Sequence, residues 1–135
     1  MREYLFCGKR LDNGAWETGS LVIVRMGCHD EQCFIADKMT GYHTPIDPST
    51  IGQYAGIPDK NGKKIFEGHI LNIGGHIPTV NGRYLVIYDT VSHCWALKRS
   101  EEHHHHYFAF SDLNGFAEDS EVIGNSHDNP ELLEV

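Results

Sequence analysis

The sequence lacks the features that mark membrane, exported or phosphate-coating proteins. Its longest purely aliphatic run is Leu21-Val22-Ile23-Val24, far short of the roughly 20 apolar residues that cross a bilayer. The opening Met1-Arg2-Glu3-Tyr4 has no apolar segment of the kind a signal peptide needs. Basic residues are scarce: Lys+Arg is 11 against 19 for Asp+Glu, a net charge of −8. A protein that coats nucleic acid needs a positive face, so that class is disfavoured. The expectation is a cytoplasmic protein with no membrane partner. Catalytic punctuation is missing as well. There is no nucleophile elbow, phosphate-cradling glycine loop, dinucleotide fingerprint, His-Glu-x-x-His or calcium-binding loop. No apolar period of 3.6 residues is sustained, so no substantial helix is expected.

What is present is a globular composition. The 135 residues are 40% hydrophobic and 22% charged, enough for one core without disulfides or metal. Short β-rich runs alternate with turn signals, which predicts an all-β fold, a small barrel or sandwich, with one or two short helical turns. Strands are expected over 3–7 (ending at Gly8), 16–26, 32–36, 51–55, 70–73, 83–89, 92–98, 107–110 and 121–124. Asn13-Gly14 and Asn61-Gly62 predict tight turns, because Asn-Gly tolerates the positive φ that a two-residue hairpin needs, and Asn81-Gly82 introduces the strand 83–89. Asp47-Pro48 and Asn129-Pro130 predict helical turns, each with a cap followed by a proline. The chain is taken as one domain, 1–135, with a subdivision left open between 1–57 and 58–135.

Few residues suggest chemistry. The cysteines are Cys7, Cys28, Cys33 and Cys94. Cys28, His29 and Cys33, with His93 or Cys94, would be the metal ligands if any exist. Their spacing matches no standard zinc knuckle, and the plain alternative is a loop cysteine plus small strand hydrophobes. No cofactor is expected. The run His103-His104-His105-His106 reads as a solvated loop with incidental metal affinity. Protonating all ten histidines would move the net charge from −8 to +2, so the electrostatics should change between pH 7 and pH 5. Glu67 and His69 are two residues apart and could share a strand face as an acid–base pair, although nothing supplies a third group or a pocket. Lys60, Lys63 and Lys64 surround a turn. With Tyr84, Tyr88, Trp95 and Tyr107 they would form a stacking face for nucleic acid, unless those aromatics fill the core. Asp112, Glu118, Asp119 and Glu121 form an acidic stretch, read as a solvated loop.

The turn punctuation resembles the YopX family of small phage and prophage proteins. The resemblance rests on Phe6-Cys7-Gly8-Lys9-Arg10, Asn13-Gly14-Ala15-Trp16-Glu17-Thr18-Gly19, Asp47-Pro48 and Thr50-Ile51-Gly52-Gln53-Tyr54-Ala55-Gly56. It continues through Asp59-Lys60-Asn61-Gly62-Lys63-Lys64-Ile65-Phe66-Glu67-Gly68, Glu121-Val122-Ile123-Gly124-Asn125 and Asn129-Pro130-Glu131-Leu132-Leu133. The pieces keep their order over nearly the whole chain. Cys7 stands where the family usually has Arg, and His69 where it usually has Asp. Segments 25–45 and 74–110 follow no pattern of the family. The resemblance implies a mostly β fold with an SH3-like barrel element and an additional N-terminal β module. It supplies no catalytic residues. The expected function is that of a phage or prophage accessory protein: a non-enzymatic β scaffold that binds an unidentified protein and forms a homo-oligomer. The alternative is an SH3-like barrel that binds nucleic acid, and the lesser alternative a metal-dependent enzyme.

Overall fold

A computed structural model describes residues 3–27, 30–75, 81–99, 107–109 and 117–134. Two compact units divide the chain, residues 1–54 and 55–135. Both are β, as the alternation of short apolar runs and turns predicts.

The first unit begins with β1 (Phe6–Lys9), β2 (Trp16–Met26), β3 (Asp30–Ala36) and β4 (His43–Ile46). Their order is β4-β3-β2-β1, all antiparallel. β2 changes partner along its length. Trp16 to Gly19 pair with β1, and Ser20 to Met26 pair with β3. β4 carries Pro45, which lacks an N–H for a ladder, and accordingly lies at a sheet edge. A 3-10 turn follows at Pro48–Thr50. Asp47 caps it by accepting from Ser49 N at 3.0 Å, as the Asp-Pro signal predicts. The buried Thr50 hydroxyl accepts from Lys9 N at 2.8 Å and donates to Asp47 O at 2.7 Å, tying the turn to β1.

Gly8 does not end the first strand. It lies inside β1 because Ile46, 1% exposed, packs over it; a Cβ at Gly8 would collide with Ile46 Cγ2. The glycine therefore serves a close approach and not a chain break.

β5 (Gly52–Pro58) pairs with β1 through Gly52 and Gln53, and its later residues open the second unit. There follow β6 (Lys64–Phe66), β7 (His69–Ile73), β8 (Gly82–Asp89), β9 (Cys94–Arg99), β10 (Tyr107–Ala109) and β11 (Ser120–Asn125). A 3-10 turn at Pro130–Leu133 follows its proline signal. The sheet order is β10-β9-β8-β7-β11, antiparallel throughout. Ile65, Leu71, Ile73, Tyr84, Val86 and Leu97 form the core, with Ala55, Ile57, Trp95 and Val122 packed on it. The alternation in β8 sends Tyr84 and Val86 inward, in register with Arg99 and Leu97 of β9.

Two expectations need correction. The described residues form no closed barrel: β10 pairs only with β9 and β11 only with β7, so the sheet stays open. Nor do the Asn-Gly pairs make two-residue primed turns, which need positive φ at both residues. Among the described residues His93, at φ 55°, is the one non-glycine with positive φ. In the clearest case Gly62 N donates to Asp59 O at 3.0 Å, so Lys60 and Asn61 are the central residues. Gly62, at φ 81°, follows them as a left-handed bulge. Among the described residues no helix is long and apolar enough to cross a membrane.

Gly8→Ala is expected to destabilise the protein by about 2 kcal/mol through the clash with Ile46. Urea unfolding of the double variant with Ile46→Ala, which removes Cγ2, should show a loss about 1 kcal/mol smaller than the sum of the two single losses. Strict additivity would mean the contact does not constrain the strand.

Candidate functional site

The lysine turn is organised by a carboxylate. Asp59 is 6% exposed. Its Oδ1 accepts from Asn61 N and Lys63 N, both at 2.9 Å, and its Oδ2 from Val122 N at 3.0 Å. Two backbone bonds frame it: Asp59 N donates to Lys63 O at 2.7 Å, and Lys60 N to Ser120 O at 3.0 Å. Burial pushes the Asp59 carboxyl up. The N–H donors of Val122, Lys63 and Asn61, helped by the Lys63 charge, outweigh it and hold the pKa below the usual carboxylate range. The Lys60 ammonium lies 3.8 Å from Glu121 Oε2, both partly exposed. A shallow, open depression beside the turn is lined by Ile57, Pro58, Asp59, Lys60 and Glu118. Its two carboxylates make it a poor seat for a phosphate.

Glu67 and His69 do not share a strand face. Glu67 is in the turn before β7, and His69 opens the strand. His69 Nδ1 accepts from Phe66 N at 3.1 Å, and the two rings meet edge to face at 5.6 Å. Burial lowers the imidazole pKa to about 4; the Lys63 charge adds to the shift and Asp59 opposes it. His69 is thus a neutral acceptor at pH 7, where a proton shuttle would need a pKa near the working pH.

The aromatic residues separate by burial. Tyr84 is 1% exposed, with the Arg99 guanidinium 5.8 Å from its ring centroid. Its ring faces the core and offers no stacking surface. Tyr88 is 42% exposed and meets Trp95 edge to face at 5.6 Å, one pair across the β8–β9 ladder. The side chain of Tyr107 lies outside the described residues.

Cys33 is buried in β3 and paired across to Ile23 and Ile46. Cys94 Sγ lies 3.1 Å from Ser92 Oγ. Among the described residues no three His, Cys, Asp or Glu side chains group as metal ligands. Cys28, His29, His103–His106 and Asp112 lie outside the described residues.

Sequence reasoning missed the turn between β3 and β4. Asp37 Oδ1 accepts from Met39 N at 2.8 Å and Thr40 N at 3.0 Å. Gly41 N returns to Asp37 O at 2.8 Å, and Asp37 N donates to Tyr42 O at 2.9 Å. The Thr40 and Met39 N–H groups hold the Asp37 carboxyl below its ordinary pKa. On this locked turn Met39 is 93% exposed and Tyr42 70% exposed. The available signal was an Asp-x-x-x-Gly turn that carries a Met and adjoins a Tyr, where polar residues are usual.

The two open antiparallel sheets define an all-β protein. The chain belongs to the YopX family: the model of that family, described as YopX protein, matches residues 16–134. No curated protein matches the chain. The solved structure of protein EF1440 from Enterococcus faecalis is similar at 22% identity and a TM-score of 0.58, covering 99% of this chain and 100% of that one. That likeness shows the fold.

Asp59→Asn is expected to cost about 3 kcal/mol in urea unfolding at pH 7, because the amide turns a donor toward backbone N–H groups and removes the charge they serve. The wild-type contribution of Asp59 is intact above the ordinary carboxylate pKa, roughly 4, and is lost as pH falls through the lower folded value.

His69 gives a second pH signature. Its folded pKa of about 4 lies below the ordinary value of 6.5, so the unfolded chain binds this proton first as pH falls. Stability should be complete above about pH 6.5 and decline by about 3 kcal/mol toward pH 4. His69→Asn keeps an acceptor and removes the titration, so its stability curve should be flatter across that window. Equal slopes would contradict the assignment.

Proposed function

We propose that the protein is a non-enzymatic binding scaffold: a phage- or prophage-derived accessory protein of the cytoplasm that engages another polypeptide. The observation that carries this reading is the apolar knob Met39–Tyr42 on the turn that Asp37 locks. Apolar side chains carried on a backbone held in one conformation spare the entropy of ordering that turn on docking, and tyrosine is enriched among residues that dominate interfaces. Methionine adapts its shape to the surface it meets. Leu11, 65% exposed, adds apolar surface to the same unit.

Nucleic-acid binding is the second reading. It rests on Tyr88 and Trp95 with the turn lysines Lys60, Lys63 and Lys64. The burial of Tyr84 and the −8 net charge count against it. The metal-enzyme reading rests on Cys28 and His29, beyond the described residues, and on Cys33, which is buried in its strand.

A photo-reactive residue placed at Met39 or Tyr42 in the host cell should give one discrete adduct with another polypeptide. Met39→Asp should abolish the Tyr42 adduct while changing stability by no more than about 0.5 kcal/mol. Absence of any adduct at both positions, with retention on single-stranded DNA that weakens as salt rises, would replace this reading with the second one.

A further inference from the structure

We propose that the free edge of β2 pairs with the same edge of a second copy of this chain, giving a two-fold dimer whose sheet runs β3-β2-β2-β3. This rests on the scaffold reading and gives that scaffold a second, self-directed surface. The starting observation is the partner change along β2. From Ser20 to Met26 the strand pairs with β3 on one side, and among the described residues no strand pairs with it on the other. Natural sheets blunt such edges with proline, lysine, a bulge or an inward-facing charge. Ser20-Leu21-Val22-Ile23-Val24 has none of these; the one charge on the core-side face of the free stretch is Arg25, near its end and neutralised by Glu31 of the neighbouring strand.

Burial shows which face is left incomplete. Leu21, Ile23 and Arg25 share a face with their cross-strand partners Ile35, Cys33 and Glu31. Ile35 and Cys33 are buried, at 2% and 7% exposure, whereas Ile23 beside Cys33 is 54% exposed. The core of the first unit therefore opens at this edge. Val24, on the opposite face, is 36% exposed.

The edge is self-complementary, and a second copy fits it in one register. Directly opposed residues in an antiparallel pair point to the same face, so a two-fold between identical strands must pass through a residue and not between two. Ile23 is the middle residue of the free stretch Ser20–Met26. Centring there uses the whole edge: Ile23 faces Ile23, Val22 faces Val24, and Leu21 faces Arg25. Charge agrees. Arg25 is the sole charged residue of the stretch, and it is already paired with Glu31 of its own chain. Parallel pairing in register would stack Arg25 on Arg25. The antiparallel arrangement separates them by four residues, roughly 13 Å, beyond the screening length of about 8 Å at physiological salt.

The test is sedimentation of the full-length protein from about 1 to about 100 μM, a range that spans micromolar dissociation constants. Wild type should shift with concentration toward twice the chain mass of 15.2 kDa. Ile23→Lys places two ammonium groups on the two-fold and loses the burial of both isoleucines, so dimerisation should weaken by at least about 100-fold. Hydrogen exchange of the wild type is the second readout, because it needs no variant. Amides of Ser20–Met26 should gain protection as concentration rises, while those of β8 should not. A wild type that stays monomeric at the top concentration overturns the dimer. So does association that Ile23→Lys leaves unchanged, or exchange in β2 that ignores concentration. If the dimer fails while Met39 and Tyr42 still cross-link to another polypeptide, the scaffold reading stands without it.

Discussion

The second unit depends on the carboxylate of Asp59. A buried carboxylate is costly unless donors surround it, and a tight turn leaves backbone N–H groups that need acceptors. Here each requirement answers the other. One side chain satisfies Asn61 and Lys63 within the turn and Val122 on β11, a strand 63 residues away in sequence. Lys60 N adds a bond to Ser120 O at the start of that strand. β11 is an edge strand whose Val122 packs on the core, so its anchorage to the turn supports one border of that core. The lysines of the turn are placed by this arrangement, and their proximity in sequence reflects the turn more than a phosphate site.

The first unit follows a different constraint. β2 is long enough to serve two partners, and the change falls at Gly19–Ser20. A Cβ at Gly19 would strike the Ala36 carbonyl oxygen, so the glycine permits the close approach of β3 there. The same change of partner that builds the small core of Cys33, Ile35 and Ile46 leaves Ile23 uncovered. Part of the exposed apolar surface in this unit thus comes from strand geometry at β2 and part from a capped turn at Met39–Tyr42. Neither needs a catalytic group, and both suit a protein that works by contact.

Charge links the two levels of description. Ten histidines set an upper limit for the change in net charge on acidification, from −8 to +2. His69 does not follow that limit, because burial and Lys63 keep it neutral until about pH 4. Its Nδ1 is committed to Phe66 N, so its role is to fix the entry to β7. A residue that reads as half of an acid–base pair in the sequence is a turn acceptor in the fold.

The amino-acid order by itself determined the all-β class, the full span of β2, the cap at Asp47 and the shared face of Tyr84, Val86 and Tyr88. These are local properties: alternation, β-branched content, a side-chain oxygen two residues before an N–H, and a period of two. It also carried the family, because the turn residues recur in a fixed order. It did not reveal that Gly8 continues its strand, that Asn61-Gly62 forms a bulged turn, or that β4 exists. Nor did it separate Tyr84 from Tyr88, which share a face but differ from 1% to 42% in exposure. Those outcomes belong to the folded structure, because each depends on packing or hydrogen bonds that the local residue pattern does not display. Ile46 covers Gly8, the Asp59 carboxylate draws in both its own turn and Val122, and the extent of the core decides which aromatic ring is covered and which meets solvent.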